Sequence, residues 1–198
     1  MKNALVASAL AIALAACSSQ PAKEAEPSGA VETSSAMPED MAATSAPATP
    51  AAEAPVNVLS LEGLGDLKVG KAVPAGSSWR ERGAQASDTC RTVTSPAYPG
   101  VYAIVEKDKV RRITLGQRSE VKLVEGIGVG ATEADVKKWF AGFREEPHKY
   151  EASPAKYLTA PNAVSGDPAL RFEIGQDGKV KLIHVGTMPV LGYVEGCS

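Results

Sequence analysis

Apolar runs long enough to cross a bilayer are missing from this 198-residue sequence. Its longest apolar and small-residue run, Ala4 to Ala16, holds 13 residues, whereas a spanning helix needs roughly 20. Histidine is nearly absent, with His148 and His184 alone. A catalytic zinc needs three protein ligands in a defined arrangement, so two distant histidines without an H-E-x-x-H pattern give no expectation of a metal. No G-x-S-x-G elbow is present, and the neighbouring acids Glu145 and Glu146 read as a solvated face. An excess of one charge is lacking too. From Val58 to Ser198 there are 19 Lys plus Arg against 17 Asp plus Glu, too even a balance for a surface that neutralises nucleic-acid phosphates. These absences leave a chain expected to be neither an enzyme nor a cofactor carrier, and not a nucleic-acid binder.

The N-terminus does carry a signal. Lys2 followed by the Ala4–Ala16 run has the pattern of a secretory signal peptide over residues 1–16. Leu14-Ala15-Ala16-Cys17 resembles the lipobox of bacterial lipoproteins, which implies cleavage before Cys17 and acylation of its thiol. More than one acyl chain is needed for a firm hold, and the family supplies several. Ser18 follows the cysteine in place of an Asp, which by that family's sorting rule implies the outer membrane, with the domain in the periplasm or at the cell surface. Residues 17–57 hold no aromatic residue and six acids against Lys23 alone. That composition cannot offset chain entropy by burial and predicts a disordered linker. One globular domain, residues 58–198, follows it. With Cys17 taken by lipid, Cys90 and Cys197 are left as a disulfide pair in an oxidising compartment. The rival, two free or metal-binding thiols, has no Cys-x-x-Cys spacing behind it.

Shifting the domain by 60 residues aligns Leu67 with Ile127, Val69 with Val129, Gly70 with Gly130 and Trp79 with Trp139. A shift of 70 aligns Tyr102 with Phe172, Ile104 with Ile174, Val110 with Val180, Ile113 with Ile183 and Gly116 with Gly186. The expectation is an internal repeat, with copies over about 61–118 and 119–198. In the second copy Thr132 and Asp135 resemble a capping box. Val136, Trp139, Phe140 and Phe143 then share a helical face, and Pro147 ends the helix. Runs at 156–160, 169–175 and 179–186 read as strands, the last two joined at Asp177-Gly178. The first copy has matching strands at 101–105 and 110–115 around Lys107-Asp108, but Pro74, Gly76 and two serines weaken its helix. The predicted fold class is α+β: two tandem repeats, each a helical segment packed on a small antiparallel sheet.

Helix then antiparallel strands, given twice, with Ile127-Gly128-Val129-Gly130-Ala131-Thr132 leading into a helix, resembles the tandem units of β-lactamase inhibitory protein. It is also similar to the SmpA/BamE outer-membrane lipoproteins, which open with an apolar-x-x-Gly-x-Thr turn. The resemblance implies helices over one sheet face and a partner protein on the exposed surface. Gly126 to Ala131 also fits G-x-G-x-x-A, but a dinucleotide site needs parallel strands, and the Asp-Gly hairpin predicts antiparallel ones. It reads as a tight turn into a capped helix. Both tryptophans are expected in the core. The candidate binding residues are Tyr102, Arg111, Arg112 and His184: the arginines from the basic cluster around Lys107 and Lys109, His184 from a strand face that helices would leave open. The functional expectation is a non-catalytic module that binds an envelope protein. A glycan-binding module and an inhibitor of exported hydrolases are the alternatives.

Overall fold

The computed structural model describes residues 57–85 and 87–197. The segments expected as a signal peptide over 1–16, a lipidated Cys17 and a linker over 17–57 lie outside the described residues as far as residue 56.

Among the described residues the chain forms twelve strands in two sheets and one α-helix. In order they are β1 (Val58–Ser60), β2 (Gly63–Leu64), β3 (Leu67–Lys68), β4 (Arg80–Glu81), β5 (Cys90–Thr94), β6 (Val101–Glu106) and β7 (Lys109–Leu115). After β8 (Lys122–Leu123) come α1 (Glu133–Trp139), β9 (Arg144–Pro147), β10 (Lys156–Thr159), β11 (Ala169–Ile174) and β12 (Val180–Gly186). The large sheet is antiparallel throughout, in the order β4-β5-β6-β7-β12-β11-β10-β9. The small one runs β3-β2-β1-β8, with β1 parallel to β8.

This mainly β architecture corrects the α+β expectation of helices packed on two sheets. In the first half Ser77 N–H donates to the Pro74 carbonyl in a turn and Gly76 sits at φ +74°, so no helix forms there. In the second half the capping box is present: Thr132 accepts from the Asp135 N–H and the Asp135 carboxylate accepts from the Thr132 N–H. The helix nevertheless stops at Trp139 and not at Pro147. Gly142 at φ +85° reverses the chain, and 144–147 pairs with β10 as the edge strand. Tertiary pairing has overridden a helical pattern. Two Lys and two Glu tie this region together: Lys137 and Lys156 each bridge Glu133 on α1 to Glu145 on β9, which pushes the Lys137 ammonium up to about 12.

One face of the large sheet carries the core. Val93, Ala103, Ile113, Leu115, Ile183, Val185, Phe172 and Leu158 stand on it, and Leu59, Leu64, Leu67 and Leu123 of the small sheet close over them. Trp79 belongs to this core and stacks on Tyr98 with centroids 5.7 Å apart. Trp139 does not: its side chain is 58% exposed, because the short helix turns only Val136 fully inward.

The large sheet is arranged about its central pair. Ile113 sits opposite Val185, Leu115 opposite Ile183, and Thr114 opposite His184. Gly70 N–H donates to the Val110 carbonyl at 2.7 Å and Val110 N–H to Lys71, just as Gly130 N–H donates to Val180 at 2.9 Å and Val180 N–H to Ala131. The 70-residue shift fails on β6 and β11, however. Ala103 pairs with Ile113 and Phe172 with Ile183, so the spatial counterpart of Tyr102 is Arg171 and that of Ile104 is Glu173. The Gln176–Gly178 turn is one residue longer than the Lys107-Asp108 turn, and a one-residue slip moves a side chain to the other face.

Candidate functional site

On the face opposite the core, cross-strand partners form one polar row over all eight strands: Arg80, Thr94, Tyr102, Thr114, His184, Arg171, Thr159 and Arg144. Polar side chains here need either solvent or partners. At the centre they have partners. Thr114 Oγ1 lies 2.9 Å from His184 Nδ1. Arg171 pairs with Glu146 at 3.2 Å and lies over the Tyr157 ring, and Thr159 Oγ1 donates to the same carboxylate. His148 stacks on Tyr157 at 4.8 Å and approaches Glu173 at 3.2 Å.

The middle of the row is covered by the chain's last segment. After β12 a short 3-10 turn, Val190–Gly192, crosses it, and Arg112 donates to the Val190 and Tyr193 carbonyls. Tyr193 and Tyr150 add hydroxyl bonds to Glu106 and Glu195. The Cys90–Cys197 disulfide, joining residues 107 apart, fastens the end over Ile104. Under this strap Arg112 is 1% exposed and His184 4%. Burial first, then the nearby Arg112 and Arg171 cations, push His184 well below the ordinary imidazole range. Burial likewise lowers Arg112, partly offset by Tyr102. A hydroxyl and an imidazole in contact can form a nucleophile and base in an open cleft; here both are sealed from substrate.

The four sequence candidates therefore do not assemble into one site. His184 and Arg112 are structural groups beneath the strap, and the face expected to stay open around His184 is covered. Arg111 is the extra residue of a bulge where the β6–β7 register shifts, and its carbonyl accepts from Thr187 N–H. Tyr102 and Arg111 keep partly exposed side chains, and of the four Tyr102 lines a surface cleft.

Two concavities were not legible in the sequence. The first is an apolar groove of about 580 Å³ between the small sheet, the end of α1 and the β10–β11 connection. Leu61, Val124, Trp139, Phe140, Phe143 and Leu170 line it. Leu61 is 43% and Val124 72% exposed, a cluster of bare apolar groups of the kind that marks binding surfaces. Among the described residues its only charged lining residues are Glu62 and Glu125. The second is a polar cleft of about 620 Å³ at the end of β6 and β7, which includes Tyr102. The one hint of the groove was apolar residues in turn positions, Leu61 before Glu62 and Val124 before Glu125; for the cleft there was none, because its residues are spread from 82 to 118.

No family model, no curated protein and no solved structure matches this chain. The fold therefore defines a class only: a mainly β domain in which a four-stranded sheet covers one face of an eight-stranded antiparallel sheet. Among the described residues no helix is long and apolar enough to cross a membrane.

Proposed function

We propose that this chain is a non-catalytic lipoprotein of the outer membrane, anchored through Cys17, whose domain binds an envelope protein by its apolar groove. The observation that carries the reading is the groove: six apolar side chains gathered from β1–β2, β8, α1 and β11 with solvent on one side. Exposed apolar area of this kind costs solubility and is kept where a partner covers it. Glu62 and Glu125 set the partner's chemistry. With two carboxylates and no cation on the rim, the groove favours an apolar segment that carries Lys or Arg, since opposite charge steers encounter and fixes register. The leash between Cys17 and residue 57 gives the domain reach from the lipid surface. We also read the domain as two copies of one unit, on the strength of the paired Gly70–Val110 and Gly130–Val180 bonds.

The test is site-specific photo-crosslinking in cells. A crosslinker at Val124 is expected to give one discrete adduct that disappears with Leu61→Asp, while a crosslinker at Lys107 on the far hairpin gives none. The same smear from both positions, or an adduct indifferent to Leu61→Asp, would refute groove docking. Labelled palmitate lost on Cys17→Ser checks the anchor separately.

A further inference from the structure

The structure assigns a second binding site to the polar cleft beside Tyr102: a site for a saccharide that carries an oxyanion, carboxylate or phosphate. Two guanidinium groups, Arg82 and Arg118, line it, and among the described residues no Asp or Glu does. Among the described residues neither arginine has an ion-pair partner, although eight ion pairs of Lys or Arg form on this small domain. Arginine offers a planar fork of N–H donors that matches carboxylate and phosphate oxygens. Both forks line a wall without carboxylates, so an oxyanion bound there meets donors and no like charge.

Between the arginines the wall changes character. Thr94 and Gln117 contribute a hydroxyl and an amide, while Tyr102, Pro96 and Pro99 contribute rings. Hydroxyl and amide groups interleaved with flat apolar faces suit a sugar ring, which has polar edges and a C–H face. At about 620 Å³ the cleft falls within the range of small-molecule sites.

Backbone hydrogen bonds also tie the loops of the cleft to each other. Gly116 N–H donates to the Gly100 carbonyl at 2.9 Å, Tyr98 N–H to Ser95 and Val101 N–H to Tyr98, so the two loops are laced together. Ser95 Oγ, 2.6 Å from Ser78 Oγ, also accepts from Ala97 N–H. Gly100 sits at φ +77°, and a Cβ there would fall 2.5 Å from Ser119 N. Such pre-ordering lowers the entropic cost of binding.

Titration calorimetry on the full chain tests the assignment with four probes: an N-acetylglucosaminyl-N-acetylmuramic acid disaccharide, N-acetylglucosamine 1-phosphate, neutral chitobiose and inorganic phosphate. One or both charged saccharides are expected to bind at least about tenfold more tightly than chitobiose, and whichever wins identifies carboxylate or phosphate as the natural oxyanion. Arg82→Gln and Arg118→Gln should each weaken that binding about tenfold. Both residues are exposed, so the melting temperature should hold. If a variant does not fold, the wild-type affinity for the charged saccharide must still fall with added salt. Equal affinity for charged and neutral sugars, inorganic phosphate matching the saccharides, indifference to both substitutions, or no saturable binding overturns the proposal. None of these results bears on the Val124 adduct, so this site and the groove stand or fall separately.

Discussion

His184 makes the domain's stability depend on pH in a window that few other groups share. Its imidazole is buried, accepts or donates one bond to Thr114 and faces two arginines, Arg112 and Arg171, so it stays neutral in the folded chain well below its ordinary value of 6.5. In the unfolded chain it protonates near that value. A folded-state pKa below the unfolded one means that the unfolded state binds the extra proton as pH falls, so stability is present above 6.5 and is lost below it. The loss is RT times the logarithm of one plus the ratio of protonated to neutral imidazole in the unfolded chain. From about pH 7.5 to about pH 5.5 it amounts to roughly 1.3 kcal/mol. Urea denaturation at the two pH values measures it, with His184→Gln as the reference, since the amide can keep a bond to Thr114 without titrating. The carboxylates held low by partners, Glu133, Glu145, Asp135 and Asp177, lose their contribution only at more acidic pH and are common to both proteins. The wild type should lose about 1.3 kcal/mol more than His184→Gln over this interval. Equal losses in the two would refute the burial of a neutral His184.

Two further perturbations test the parts that create this environment. Replacing Cys90 and Cys197 by Ser removes a cross-link over 107 residues and should cost roughly 2–4 kcal/mol in urea denaturation. It should also speed hydrogen exchange at the Leu191 and Tyr193 amides; unchanged exchange there would mean that the strap holds without its staple. Gly186→Ala should destabilise the domain by about 2 kcal/mol or more, because the new Cβ would fall 2.2 Å from the Arg111 carbonyl oxygen and 2.8 Å from Arg112 Cα on the paired strand. A thermal melt within a degree or two of wild type would contradict that close approach.

What the sequence made legible was local, and what it hid was decided by pairing between distant strands. Strands β10, β11 and β12 fall within a residue or so of their apolar runs, and the Lys107-Asp108 and Asp177-Gly178 turns lie where hairpin chemistry puts them, with Lys107, Asp108 and Gly178 all at positive φ. Thr132 and Asp135 mark the start of α1 correctly. Its end was misread because Trp139, Phe140 and Phe143 keep a helical spacing that the chain does not use. Phe140 and Phe143 reach Phe172 from either side of the Gly142 turn, at 5.3 and 6.0 Å. Two aromatic residues can meet a third from a turn as well as from a helix face, and spacing does not tell the cases apart. The candidate site failed for a related reason. Alternation places His184 and Arg112 away from the core, but nothing within β7 or β12 announces that residues 188–197 will return to cover them.

Both faces of the large sheet are thus occupied, one by the small sheet and one at its centre by the strap, and this decides where recognition can happen. A sheet covered on both sides binds at its ends and seams. The groove lies at a seam, where the small sheet stops short of α1 and leaves Leu61, Val124 and Trp139 uncovered. The cleft lies at an end, where the polar row runs past the strap and Tyr102 meets the loops that carry Arg82 and Arg118. The edges themselves are poor templates for strand addition. β4 has two residues, while β9 carries Arg144, Glu145 and Glu146 and ends on Pro147, and short, charged or proline-bearing edges resist pairing. On the reading proposed above, a partner is therefore recognised by side chains in these two concavities and not by continuing the sheet. Substitutions at Leu61 or Arg118 should change binding while leaving the folded framework intact.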